Sequence, residues 1–405
     1  MLTSYKLGGE KMNKKDIAEI RRQFKKNNDL LKINEIFNVY VMKESSEIYH
    51  QQSQPFEMLD PDEQELFLTN FKKVLSGQID EKLFELKFQK DIENSSQLIL
   101  HQGLITDDLH EWKSQMIALV NKMLQIKQYE MDIVMTFIKG EYVKPVKRDN
   151  NEDEESPYNT LHAHTFILAS INQTQEPKKE LHFDYIEKVF KYHFVVDPVI
   201  NLQKPIGGFL FPCFTDHVAD VNRVLYSAPR ANEPDEDFID GVLNAEETIT
   251  AKEDKIIFEE VVRDAIGHEL NTTKLANIYQ EINQVVEEDN EDTATLDYKD
   301  IEAVLKHSGV EDVTLEKVER AFSNVIDDPG YELKAKNIVP KYNSKSIKIN
   351  TKVANIAVSP EDLHHVRQIH LAGKRYLMIE VDEETIIDGF TMVPEVFGHK
   401  VEDES

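Results

Sequence analysis

A single cysteine, Cys213, stands in a chain of 405 residues, which excludes an intrachain disulfide framework. No apolar run approaches the roughly 18 residues of a membrane-spanning helix, and the N-terminus lacks the apolar core of a secretory signal. Cations are scarce: 47 Lys and Arg face 75 Asp and Glu, a formal charge of −28. A surface this acidic repels phosphate backbones and anionic headgroups, which argues against whole-body binding to nucleic acid or membrane. Together these absences predict a soluble, cytoplasmic protein. Phosphate-cradling loops, dinucleotide fingerprints, G-x-S-x-G, H-E-x-x-H and C-x-x-C are all missing. No repeat of about 20–50 residues is visible, so solenoids and propellers are disfavoured.

What is present suits a folded protein. Apolar residues make up 40% of the chain and charged residues 30%, enough to bury a core and exclude wholesale disorder. At about 100–200 residues per domain, the length implies two or three of them.

The first 32 residues invert the overall charge, with nine Lys/Arg against four Asp/Glu. Within them Ile17, Ile20 and Phe24 recur at helical spacing, which predicts a basic helix with a narrow apolar stripe. The plainer reading docks this helix on its own acidic body; the alternative offers it to RNA or an acidic partner. The codons of Gly8 to Met12 can form a purine tract resembling a ribosome-binding site, so translation is expected to begin at Met12.

The run from Met12 to Ile20 (MNKKDIAEI), Leu75-Ser76-Gly77, Gly208 to Pro212 (GFLFP) with Asp216, and Phe238 to Val242 (FIDGV) resemble a Firmicutes family, domain of unknown function 4317. The resemblance spans Met12 to about Gly389 and favours Met12 as the start. It implies a shared fold and no particular chemistry.

Residues 34–43 alternate, with Ile36, Asn38, Tyr40 and Met42 on one face, and 47–50 follows a polar turn, predicting a β-hairpin. Asp60-Pro61-Asp62-Glu63 has the form of a capping box with proline in the first turn. A helix should follow, burying Leu66, Phe67, Phe71, Val74 and Leu75 and stopping at Gly77. A second helix is expected over 108–127 and strands over 131–138, 161–171, 192–196, 207–216 (entering a turn) and 222–226. Residues 147–157 form a charged, apolar-free stretch and read as a solvated loop. Helices are expected over 235–243, 254–266, 274–288, 298–308 and 314–326. Strands resume after Ser344, with a hairpin turn at Ala372 to Lys374. The predicted class is α+β: a mixed or antiparallel sheet with flanking helices in 12–232, a helical region in 233–335, and a C-terminal β-rich segment in 340–395.

Two constellations could carry chemistry. Cys213 lies near Asp216 and His217, a thiol with a base and an orienting carboxylate. Its surroundings, Phe211-Pro212-Cys213-Phe214, are apolar, and the plainer reading is a small core residue. The resemblance further implies that a non-nucleophilic residue is tolerated at position 213. His162 and His164 share one face of a strand at a spacing that suits two metal ligands, with His182, Asp184 or His193 nearby in sequence. Phe166 and Leu168 continue that face, so the plainer reading is the edge of a packed sheet. The neighbours His364 and His365 should point to opposite faces of a strand.

No organic cofactor is expected; a divalent metal at His162 and His164 is the one cofactor considered. The preferred reading is a non-catalytic interaction or regulatory protein with a protein partner. The alternatives are a hydrolase-type enzyme, metal-assisted or not, with a pocket near 209–217, and an RNA- or ribosome-associated factor using the basic helix.

Overall fold

The computed structural model describes residues 11–143, 163–175, 179–194, 198–215, 218–267, 270–289, 294–326, 328, 330–340, 346–381 and 385–394. The predicted loop at 147–157 lies outside these residues. The chain divides into two compact units, the first ending at Thr250 and the second beginning at Ala251.

The first unit opens with α1 (Lys14–Gln23). Asn13 caps it, accepting from the Lys15 and Asp16 amides while Asp16 bonds back to the Asn13 N–H. Strands β1 (Leu31–Met42) and β2 (Glu47–Pro55) form the predicted hairpin. Helix α2 (Pro61–Val74) starts at the predicted Asp60–Glu63 capping box. Its buried stripe is Leu68, Asn70, Phe71 and Val74. Leu66 is exposed, contrary to expectation, because it sits about a third of a turn off that stripe.

The chain continues through β3 (Leu83–Lys87), α3 (Ser96–Ile105), α4 (Leu109–Ile126), β4 (Ile133–Val143) and β5 (Ala163–Gln175). Then follow β6 (Lys179–Asp184), β7 (Val189–Phe194), β8 (Val199–Ile200), β9 (Gly207–Phe211), β10 (Cys213–Thr215), β11 (Val218–Asp220) and β12 (Arg223–Ser227). The main sheet runs β2-β1-β4-β5-β9-β12-β3, with β8 also on β5, and every pairing is antiparallel. Of the predicted strand at 192–196, residues 195–196 lie outside the described residues. Residues 189–194 form β7, which among the described residues pairs with β6 alone, in a separate two-stranded hairpin.

The sheet is covered on both faces, so its central strands read as continuous apolar runs rather than alternations. One face packs Phe37, Met135, Phe137 and Ile167 against Trp112, Met116 and Leu119 of α4 and Phe238 and Val242 of a π-helical turn, Phe238–Leu243. That contact places the predicted helix at 235–243 in the first unit. The opposite face packs Ile36, Ile138, Phe166, Leu168 and Leu210 against Ile17, Ile20 and Phe24 of α1 and Phe71 of α2. α2 crosses the sheet at Gly208, where a Cβ would overlap the Ala169 carbonyl and come within 2.8 Å of Val74 Cγ1. The fold is therefore α+β, a helix–sheet–helix sandwich.

The second unit contains α5 (Ala251–Ile266), α6 (Thr272–Asp289), α7 (Tyr298–His307), α8 (Leu315–Val325) and α9 (Ala335–Ile338). Their core is built from Phe258, Val261, Ile278, Ile282, Ile301, Leu305, Val318 and Phe322. A short bridge joins β13 (Thr295–Leu296) to β14 (Leu333–Lys334). The C-terminal strands are three hairpins: β15 (Ile347–Asn350) with β16 (Asn355–Val358), β17 (Val366–Leu371) with β18 (Lys374–Ile379), and β19 (Ile386–Ile387) with β20 (Phe390–Thr391). None pairs with the main sheet among the described residues. Leu363 and Val366 seat this segment on Ala276 and Tyr279 of α6. The turn at Ala372-Gly373 is as predicted, both residues having positive φ. His364 and His365 are not on a strand; a 3₁₀ turn brings their rings to 3.8 Å.

Trp112 is the sole tryptophan and is buried in the first unit, so its fluorescence reports on that unit's core. Phe71→Ala should lower stability by about 3–5 kcal/mol in urea denaturation followed at Trp112. Gly208→Ala should cost about 1–3 kcal/mol through overpacking. A Gly208→Ala protein as stable as the parent would contradict the close crossing of α2.

Candidate functional site

The sequence-predicted residues separate by environment. Cys213 is wholly buried, as are Phe209, Leu210, Phe211 and Phe214 around it, so this segment is sealed. Beneath it lies a buried ion-pair cluster. Arg223 Nη1 pairs with Glu85, Arg223 Nε lies 3.3 Å from Asp220, and the Met12 N–H donates to Glu85. Burial pushes the Cys213 thiol well above its usual pKa, and the Glu85 and Asp220 charges add to the effect. Asp216 and His217 lie outside the described residues. So does His162; His164 is half-buried, its ring 6.1 Å from Phe214. Asp184, suggested as a further ligand, instead pairs with Lys191 at 3.0 Å. Among the described residues no group of three or more His, Cys, Asp or Glu is placed to hold a metal.

A serine–lysine contact also has a structural role. Lys122 Nζ donates to Ser96 Oγ at 3.1 Å and to Asn244 Oδ1 at 2.6 Å, and burial lowers its pKa. Ser96 is fully buried and its hydroxyl donates to the Val242 carbonyl. The hydroxyl is thus committed to tying α3 to the π-helical turn.

A different region combines access with polar groups. On the α2 side of the sheet, the β4–β5 register sets Ile138 beside Leu168, then Thr136 beside Ser170, then Val134 beside Asn172. The face changes from apolar to polar along the strands. β1 adds Asn38 opposite Thr136 and Tyr40 opposite Val134; β2 adds Gln52 opposite Asn38 and His50 opposite Tyr40. Asn38, Tyr40, His50, Gln52 and Thr136 line a cavity of about 200 Å³, closed by Phe67, Val134, Ile200 and Leu202.

This end of the sheet is held by a polar network. Asn70, one helical turn after Phe67, donates to Asn172 Oδ1 and to the Leu202 carbonyl, both at 2.7 Å. Asn172 donates to Ser170 Oγ at 3.0 Å, and Thr136 Oγ1 donates to Asn38 Oδ1 at 2.7 Å. Tyr40 Oη donates to Asp132 at 2.7 Å. Burial, with that carboxylate as acceptor and nearby charge, pushes the phenol up to about 12, so it stays protonated at neutral pH. The lining contains no Asp, Glu, Lys or Arg. It can bind and orient, and it offers no activated nucleophile.

The adjoining hairpin is unusual. Leu181 faces Tyr192 and Phe183 faces Phe190 across β6 and β7, so all four share one face. All four are exposed, Phe190 to 70% and Tyr192 to 72%, and Tyr185 and Ile186 at the tip reach 85% and 93%. Phe183 contacts both Phe190 and Tyr185, with ring centroids about 5 Å apart. The other side holds Lys191 paired with Asp184 and Glu187.

Some of this was available in the sequence. The alternation of β1 puts Asn38 and Tyr40 on one face. Gln52 and Thr136 escape notice because their role depends on which strands become neighbours. The hairpin hides as a run in which aromatics and charges alternate.

Fold and site together define an α+β protein with a sheet-borne polar cavity and an exposed aromatic ribbon. The chain belongs to the family Domain of unknown function (DUF4317), whose model matches residues 12–390. No curated protein matches it. No helix among the described residues is long and apolar enough to cross a membrane.

Two predictions follow from the Cys213 region. Cys213 should resist a thiol reagent at pH 8 in the native protein and react fully after denaturation; rapid native labelling would contradict its burial. Arg223→Leu should cost about 3–5 kcal/mol by urea denaturation, since it strands Glu85. Burial already raises the Glu85 pKa, so the loss should shrink as pH falls through that raised value and the carboxyl becomes neutral. A loss that grew on acidification would contradict this.

Proposed function

We propose that this is a non-catalytic interaction protein that docks another protein through the aromatic face of the β6–β7 hairpin. The observation that carries the reading is the set Leu181, Phe183, Phe190 and Tyr192, one continuous exposed face. Exposed apolar patches of this kind mark interaction surfaces, and aromatics dominate interface energetics. An isolated two-stranded ribbon is marginal in water and gains stability when its apolar face is covered.

Charge favours a particular occupant. The chain carries −28, so a second copy would bring like charge to the contact, whereas a partner with a basic rim around an apolar patch is attracted. The basic helix α1 supports the RNA alternative less well. Its apolar stripe is buried, Arg21 donates to the Leu75 carbonyl, and Lys26 pairs with Glu65. A hydrolase built on Cys213 is disfavoured by the raised thiol pKa. The setting we favour is the cytoplasm of a Firmicutes bacterium, consistent with one buried cysteine and the family resemblance.

A photoreactive residue placed at position 192 in cells should cross-link one predominant, basic protein. With that protein purified, binding should weaken as salt rises and should be lost in the double variant Phe190→Ser, Tyr192→Ser. Cross-linking to a second copy, or binding indifferent to the double variant, would overturn the proposal.

A further inference from the structure

We infer that the cavity on β1, β2, β4 and α2 binds a neutral, flat heterocycle of the nucleobase class. Its volume of about 200 Å³ suits a single small ring system and excludes a large cofactor. The lining holds no Asp, Glu, Lys or Arg, so it offers no fixed charge to an ionic ligand and favours an uncharged one.

The polar groups define a hydrogen-bonding pattern. Asn38 Oδ1 is taken by Thr136, which leaves the Asn38 Nδ2 hydrogens as donors and the Thr136 oxygen as an acceptor. Tyr40 spends its proton on Asp132 and presents an acceptor oxygen. The Gln52 amide carries no hydrogen bond to a described residue, so it has a donor and an acceptor side by side. That is the arrangement by which a glutamine amide reads the adjacent donor and acceptor of an adenine edge. His50, beside Tyr40 on the strand register, adds a ring nitrogen of either sense.

The apolar walls suit a flat ring. Phe67 rests on Phe71 at 6.2 Å and closes the cavity from the helix side, with Val134, Ile200 and Leu202 opposing. Aromatic and aliphatic walls hold bases through their π-faces. Asn70, fully buried behind the lining, holds Asn172 and the Leu202 carbonyl and so fixes the wall at Leu202.

The test is calorimetric titration of the full chain with adenine, adenosine, adenosine 5′-phosphate and glucose. Adenine and adenosine should bind saturably, and adenosine 5′-phosphate no more tightly than adenosine. Gln52→Leu, at an exposed edge-strand position, should weaken adenine at least tenfold with Trp112 fluorescence unchanged. His50→Leu serves as a second variant should Gln52→Leu fail to fold, with the same loss expected. No adenine binding up to about 1 mM, an affinity well within reach of a ligand of this size, would overturn the inference. So would adenine binding unaffected by the folded variant, tighter binding of the phosphate, or binding of glucose alone.

Discussion

One buried amide ties together the parts of the first unit that matter here. Asn70 reaches from α2 to Asn172 on β5 and to the Leu202 carbonyl on the segment returning from the β6–β7 hairpin. Each bond spans more than a hundred residues of sequence. A hydrogen bond made in a dry interior is directional, and leaving it unmade is costly, so it fixes a geometry more narrowly than apolar contact does. The helix, the polar end of the sheet and the segment after β8 are tied together by this side chain. The cavity wall at Leu202 and the neighbouring wall at Phe67 both depend on it.

The sheet supplies the rest through its period of two. With helices on both faces, each central strand needs apolar residues at nearly every position, and β4 and β5 comply at Ile133 to Met135, at Phe137 and Ile138, and from Phe166 to Ala169. Where they depart from that rule, at Thr136, Ser170 and Asn172, the departures line up across strands instead of scattering. Alignment lets the polar groups satisfy one another, which makes a polar patch tolerable inside a sandwich. The same patch gives the accessible end of the sheet its chemistry, while the Gly208 to Pro212 segment and Cys213 stay sealed.

The amino-acid pattern revealed local structure well and long-range arrangement poorly. The capping box at Asp60, the apolar stripe of α1 and the turn at Gly373 are written in neighbouring residues, and each folds as read. α3 goes unseen because its Leu and Ile residues are spread around the helix among Ser96, Gln97, His101 and Gln102, without a helical stripe to detect. Of the strand expected at 192–196, residues 192–194 are strand, but periodicity cannot say which neighbour they take, and they pair within a separate ribbon. The cavity has the same difficulty: His50, Gln52, Thr136 and Leu202 are unremarkable until the sheet order brings them together. The helix face around Leu66 reads as buried for a related reason: which stripe is covered is set by where α2 crosses Gly208.

A double-mutant cycle on Asn70 and Asn172, each changed to alanine and then both together, tests most directly whether this amide contact holds the region. With unfolding in urea followed at Trp112, the account predicts a coupling of more than about 1 kcal/mol between the two positions. Additive losses, agreeing to within about 0.5 kcal/mol, would show that the two amides do not depend on each other and would contradict it.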